Sequence, residues 1–184
     1  ISSVHPELGV LFIDAHSDLR PSGRIFDYSH LSVARNIVDE IPAVTKLVQV
    51  GVRDMSLEEV TFAQNHPKVT MFCHEKLAAE RFSGRSWGEV CDDVVSQLPD
   101  KVYISFDIDA LSPECCPHTK RPVAGGMTFD EAVCLINRVA ESGREIVGFD
   151  LTEIVPVIDS GVDAAVGARM LVKLCAAALC SKKQ

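Results

Sequence analysis

Five side chains that can bind a metal ion stand in two short stretches of this sequence. Asp14, His16 and Asp18 lie in the first stretch, and Asp107 and Asp109 in the second. Because alternate side chains of an extended chain share one face, the members of each stretch can point in the same direction. Four carboxylates held together repel one another, and together with an imidazole they match the ligands of divalent cations. We therefore predict a site for two such ions.

Each stretch follows an apolar run that is typical of a buried strand, and three further runs are rich in β-branched residues. Segments with helical periodicity lie between the runs. Two of these segments begin with the spacing of a capping box, Ser56 with Glu59 and Thr128 with Glu131. The predicted strands are 9–13, 46–52, 68–73, 101–106 and 145–151, and the predicted helices are 31–41, 57–65, 86–98, 129–142 and 161–180.

Strands that alternate with helices indicate βα units around a parallel sheet with both faces buried. We expect one α/β domain over residues 1–184, with three layers: a mainly parallel sheet and helices on both of its faces. Such sheets bind ligands outside the carboxyl ends of their strands. Both aspartate stretches lie at predicted strand ends, and so does Glu153.

The composition restricts the partners and the compartment. A net charge of −8 argues against nucleic acid or an anionic membrane surface as the main partner. No apolar run approaches the ~20 residues of a membrane-spanning helix, and no secretory signal opens the chain. Most of the seven cysteines stand in apolar stretches, which favours a reducing compartment, the cytoplasm or an organellar matrix. Cys115, Cys116 and His118 are a poor zinc set, because adjacent cysteines do not easily share one tetrahedral ion.

The motifs around these residues resemble those of the ureohydrolase family of arginases and agmatinases. The resemblance spans essentially the whole chain and is nearer to the agmatinase-like branch, through Asp18-Leu19-Arg20 and Tyr28-Ser29-His30. The family patterns D-A-H-x-D, S-x-D-x-D and D-L-x-E-x-x-P appear as residues 14–18, 105–109 and 150–156, and further similarity covers 48–53, 123–128 and 163–169.

The resemblance implies a pair of manganese ions that activate a water molecule for attack on an amidine carbon. Asp14 and Asp107 would bridge the two ions. His16 and Asp109 would complete one ion's ligands, and Asp18 would serve the other. The implied fold is arginase-like, with the fifth strand of this chain at one edge in the order fifth-fourth-first-second-third.

Four further residues receive candidate roles. By resemblance, His30 carries protons or orients the leaving amine, and Glu153 pairs with the guanidinium group in a bidentate contact. Arg20 and Arg121 place positive charge at the rim, which would suit a carboxylate on the substrate. For each residue an ordinary solvated surface position is the alternative.

One family motif has no counterpart. The family's G-G-D-H precedes the D-A-H-x-D pattern, whereas only thirteen residues precede Asp14 here, and His5 is too close to the strand to replace it. We therefore expect that the chain lacks the N-terminal part of the family domain and that one metal position is short of a ligand. The apolar strand 145–151 would then need cover from further sequence or from another chain, which would make a homo-oligomer.

Three hypotheses about function follow. The first is a manganese hydrolase of a guanidino or formimino C–N bond in a small molecule, with agmatine, arginine or formiminoglutamate as candidate substrates. The second is a weakly active fragment or assembly partner. The third is a zinc deacylase of related fold, against which the set of five ligands argues.

Overall fold

The computed structural model describes residues 1–21, 28–155, 157–158 and 160–182. Strands and helices alternate along most of the chain, as the sequence predicts. Two short 3-10 helices, His30–Ser32 and Ile108–Ala110, lie beside the candidate site. The strands are β1 Leu8–Ile13, β2 Val44–Val50, β3 Val69–Phe72, β4 Lys101–Asp107 and β5 Glu145–Thr152, and the helices are α1 Val33–Glu40, α2 Leu57–Asn65, α3 His74–Phe82, α4 Trp87–Ser96, α5 Phe129–Glu141 and α6 Val162–Ser181.

The five strands form one parallel sheet in the order β3-β2-β1-β4-β5. This confirms the strand order and the α/β class predicted from the sequence. Ile13 at the end of β1 is in register with Val50 of β2 and Phe106 of β4, so the carboxyl ends of these three strands are level. The segments that follow β1, β2 and β4 therefore meet at one edge.

Hydrophobic side chains cover both faces of the sheet, which gives the three predicted layers. Leu11 and Ile13 of β1 belong to the cluster that packs beneath α4, α5 and α6. Val10 and Phe12, the alternate residues, belong to the cluster on the side of α1. β1 is buried along its whole length because it is the central strand.

The two predicted capping boxes are present at the N-termini of α2 and α5. Ser56 with Glu59 and Thr128 with Glu131 make both reciprocal bonds. Helix α3 was not predicted. Its only buried residue is Leu77, so it lacks the apolar periodicity that reveals the other helices.

The expectation that no segment is apolar enough to span a bilayer was wrong for α6. This helix is the one candidate within the described residues, by length and composition only. Met170 and Leu174 on one side of it are buried in the core, whereas Leu171 and Val172 are exposed. Strand β5, on which α6 packs, is an edge strand as predicted, and what covers that edge remains a prediction.

Candidate metal centre

Three of the five predicted ligands meet at the carboxyl edge of the sheet. Asp14, His16 and Asp109 each have a ligand atom within 4.8 Å of the others, and all three are buried. Nδ1 of His16 lies 3.3 Å from Oδ1 of Asp14 and 3.1 Å from Oδ2 of Asp109. The arrangement is a compact group of carboxylate oxygens around one imidazole.

Hydrogen bonds to the backbone orient the carboxylates at the ends of β1 and β4. The Ala15 amide donates to Oδ1 of Asp109 at 3.2 Å, and the Asp109 amide donates to Oδ1 of Asp107 at 2.9 Å. Thr152, the last residue of β5, donates its hydroxyl to the other oxygen of Asp107 at 3.1 Å. Residues from three neighbouring strands thus define the cluster.

Three carboxylates at this edge resist ionisation, whereas Asp109 does not. Burial disfavours its charged form, but the hydrogen bond and the charge of His16 outweigh burial and lower the pKa of Asp109. Burial, opposed by bonds to His16 and reinforced by repulsion from Asp109, raises the pKa of Asp14 to about 6. Burial and the charge of Asp14 raise the pKa of Asp18 to about 7 and that of Asp107 to about 9. The negative charges are therefore close enough to oppose one another, and Asp18 and Asp107 belong electrostatically to the cluster.

The donor set fits a divalent cation. Hydrogen bonds to Asp109 and Asp14 raise the pKa of His16 to about 10, so a metal ion bound by the imidazole would replace a proton. The Nε2 atom of His16 is buried without a hydrogen-bond partner in the part of the chain that the structure describes. Carboxylate oxygens with a single imidazole suit hard or borderline cations better than soft ones. The identity of the metal stays a prediction.

A small cleft opens beside the cluster and contains both predicted arginines. Arg20 and Arg121 line it together with His16 and Asp18. Nε of Arg20 lies 3.8 Å from Oε2 of buried Glu59, whereas the Arg20 side chain is 57% exposed. Burial raises the pKa of Asp18, and the positive charge of Arg121 offsets only part of that increase. Both cations therefore lie near carboxylates at the mouth of the site.

His30 and Glu153 are not members of the three-residue group. His30 is exposed and lines a groove beside α1 with Val33 and Ile37, while its neighbour Leu31 lines the metal cleft. Glu153 follows β5 directly, is half-buried and has a φ of 59°. The structure thus does not join His30 to the cluster, and the roles of both residues stay predictions. Pro156, the end of the third motif, lies outside the described residues.

The two alternative ligand sets lie elsewhere. His5 precedes β1 and is close enough to Glu145, the first residue of β5, to affect its pKa, so it lies at the amino edge of the sheet. Nδ1 of His118 is 2.7 Å from Oδ1 of Asp163, the second residue of α6. Both cysteines beside His118 are free thiols, and burial raises the pKa of Cys116 to about 12.

Sequence reasoning gave no role to Arg53, which connects three loops at the site. Its guanidinium donates to the carbonyl oxygens of Asp109 at 2.9 Å, Leu111 at 3.2 Å and Ala124 at 3.1 Å. Arg53 closes a stretch that was noted for family resemblance, but nothing local in the sequence indicates these partners. It holds the loop of Asp109 against the loop 123–126.

Two buried side chains support the first aspartate stretch from beneath. Gln49 donates to the Ser17 carbonyl at 2.6 Å. Glu59 accepts from the Ser17 hydroxyl at 2.6 Å and from the Leu19 amide at 3.2 Å. Burial opposes ionisation of Glu59, but hydrogen bonds from Ser17 and Ser56 outweigh it and keep its pKa below the ordinary value. The sequence indicated Glu59 only as a helix cap.

The sheet and the carboxylate cluster at its carboxyl edge define an α/β protein with a candidate metal centre. Comparison with known proteins gives the family: the profile of the Arginase family matches residues 1–177, and the chain belongs to that family. An N(1)-aminopropylagmatine ureohydrolase of Thermus thermophilus is 33% identical over 151 residues, which are 82% of this chain and 47% of the relative. The mitochondrial agmatinase of Gallus gallus is 32% identical over 181 residues, covering 95% of this chain and 50% of the relative.

Solved structures agree with the family assignment. Proclavaminate amidino hydrolase from Streptomyces clavuligerus aligns with a TM-score of 0.81 at 25% identity, over 98% of this chain and 58% of that one. A putative agmatinase from Clostridium difficile aligns with a TM-score of 0.77 at 27% identity, over 94% and 58% of the two chains. The chain spans about half the length of the curated relatives it matches.

Proposed function

We propose that this chain carries the metal-binding and amidinium-binding edge of a ureohydrolase, which hydrolyses a C–N bond of a guanidino group and releases urea. The observation that carries the proposal is the buried group of Asp14, His16 and Asp109, at the sheet edge where such sheets bind ligands. Membership of the Arginase family, and relatives whose names are ureohydrolase and agmatinase, support the reaction class.

Asp14, His16 and Asp109 would hold one divalent ion, and Asp18 and Asp107 beside them would contribute to a second. We propose manganese, because a carboxylate-rich set with one imidazole and no thiolate suits that ion. Bound dications lower the pKa of water toward neutrality and polarise the bond under attack. The chain itself contributes a desolvated, pre-oriented set of carboxylates, which strengthens electrostatic interactions inside the site.

Glu153 is the proposed anchor for the substrate. It follows Thr152, whose hydroxyl bonds to Asp107, so its backbone is tied to the edge of the metal cluster. A carboxylate there can make a bidentate, charge-assisted contact with a planar amidinium group. His30 is the proposed proton carrier on the strength of its motif. In that case His30→Ala should lower kcat while manganese affinity stays unchanged.

The charges at the cleft bear on the tail of the substrate. Glu59 offsets the charge of Arg20, and the exposed Asp54 lies 3.7 Å from Nε2 of His16. Arg20 is therefore weaker support for a substrate with a carboxylate, and Arg121 is the main support that is left for one. A guanidino compound such as agmatine is therefore our first substrate, and a carboxylated compound such as formiminoglutamate is the second.

Urea release from a panel of agmatine, arginine, guanidinobutyrate and formiminoglutamate, with formamide measured for the last, tests the proposal. The chain is assayed with manganese, with chelator, and with manganese restored. We expect metal-dependent turnover that Asp14→Asn abolishes and that Glu58→Gln, an exposed acid elsewhere, leaves unchanged. Tight manganese binding without turnover of any compound would contradict the hydrolase proposal and favour the assembly partner. Zinc-dependent deacylation would favour the third hypothesis.

A further inference from the structure

The candidate ligand Asp18 has a backbone conformation that its surroundings must maintain. Its φ is 49°, in the left-handed region, and the residue is buried. A residue with a Cβ atom pays roughly 1–2 kcal/mol to adopt this conformation. Strain of this kind persists where neighbouring contacts over-determine the chain, and it often coincides with functional sites.

Both neighbours of Asp18 are held by one carboxylate. Oε1 of Glu59 accepts from the Ser17 hydroxyl at 2.6 Å and from the Leu19 amide at 3.2 Å. Glu59 is 3% exposed, although it reaches these partners from helix α2. The residues before and after Asp18 are therefore fixed from the same point, on the side away from solvent.

The second oxygen of Glu59 is also in use. Oε2 accepts from the Ser56 amide at 2.8 Å and lies 3.8 Å from Nε of Arg20. Since each oxygen receives a backbone N–H, from Leu19 on one side and Ser56 on the other, only a carboxylate satisfies both. The amide of glutamine would turn its NH₂ group toward one of these donors and leave a buried mismatch.

We propose that Glu59 is a positioning residue for the metal site, which holds Asp18 in the conformation that it needs as a ligand. The inference rests on the proposed function, because it takes Asp18 to be a metal ligand. Groups that hydrogen-bond to a metal ligand typically contribute a factor of 10–100 in metal affinity, and we use that range for Glu59, which holds the residues on either side of Asp18.

The structural alternative is that Glu59 only caps α2, and the chain offers a matched control for it. Glu89 makes the same capping box at α4, accepting from the Ser86 amide at 2.8 Å while its own amide donates to the Ser86 hydroxyl at 3.3 Å. It is exposed, and within the described part of the chain its side chain accepts hydrogen bonds from Ser86. Glu89→Gln keeps a neutral version of the cap, because glutamine can also complete a capping box, and it changes nothing at the metal centre.

The experiment compares Glu59→Gln with Glu89→Gln in the full chain. Manganese affinity is measured from the paramagnetic resonance of free Mn²⁺, and exchange of the Leu19 amide is followed by NMR in chelator. We expect Glu59→Gln to bind the manganese ion that Asp18 serves about 10–100-fold more weakly and to exchange the Leu19 amide faster. Glu89→Gln should change neither readout, because glutamine retains the cap at this exposed position.

Ser17→Ala keeps the Glu59 carboxylate and removes one of its contacts, so it serves if Glu59→Gln does not fold. An intermediate loss of manganese affinity is expected for it. Unchanged affinity in a folded Glu59→Gln, or in Ser17→Ala if that variant alone folds, overturns the inference. Failure of the proposed function gives a different result: the protein without substitutions binds manganese but releases no urea. A chain that binds no manganese at all overturns both.

Discussion

Gly126 lies where two loops at the metal centre approach closely, and replacing it should disturb both folding and metal binding. Its φ is 105°, and a Cβ atom built there would lie 2.8 Å from the carbonyl carbon and oxygen of Leu111 and 2.9 Å from Nη2 of Arg53. Met127, the next residue, bonds to the Ala110 carbonyl at 3.1 Å. Gly126→Ala thus forces apart the loop that follows Asp109.

Gly84, between α3 and α4, separates the two contributions. Its φ is 97°, but a Cβ atom there would meet nothing within 4 Å. Gly84→Ala should cost only the backbone strain, roughly 1–2 kcal/mol. Gly126→Ala should add roughly 1–3 kcal/mol for overpacking, a total of about 2–5 kcal/mol.

Urea denaturation measures the free energy of unfolding of both variants, with a common m-value as the condition for comparison. The two variants should also differ in Tm by roughly 2–12 °C for a chain of this size. Manganese affinity should fall in Gly126→Ala alone, because the displaced guanidinium of Arg53 also bonds to the carbonyl of Asp109. Equal destabilisation by both substitutions, with metal affinity unchanged, would refute the assignment of a close contact at Gly126.

Three further outcomes are expected. Removing metal with chelator should lower the free energy of unfolding by about 2.7 kcal/mol relative to protein at a hundredfold excess of metal over Kd. Calorimetry measures this difference, and no difference is expected if the protein binds no metal. Asp14→Asn should abolish manganese binding. In chelator at neutral pH, urea denaturation should find the variant at least as stable as the unsubstituted protein. The reason is that burial and repulsion from Asp109 raise the pKa of Asp14 to about 6, so its charged form destabilises the folded state at that pH. Asp163 contacts the His118 amide with one oxygen and the His118 ring with the other, and Asp163→Asn keeps only one of these oxygens. It should cost about 1–3 kcal/mol of unfolding free energy, whereas Glu58→Gln should not.

The fold was accessible from the sequence because its signals are local. Apolar runs with β-branched residues predicted all five strands, and capping boxes such as Ser56 with Glu59 marked where helices begin. Helix α3 was missed because its only buried residue is Leu77. The order of the strands came from family resemblance, since no local pattern determines which strands pair.

The sequence by itself determined which residues can bind a metal, through their chemistry and their alternation at strand ends. Only the tertiary structure decided which of them meet: Asp14 and Asp109 come together around His16 because β1 and β4 are neighbours in the sheet. It also decided how the site is held. Glu59 is 42 residues from Ser17, and Arg53 is 56 residues from Asp109. A bond across such a separation depends on the packing of whole strands and helices, and no spacing along the chain records it.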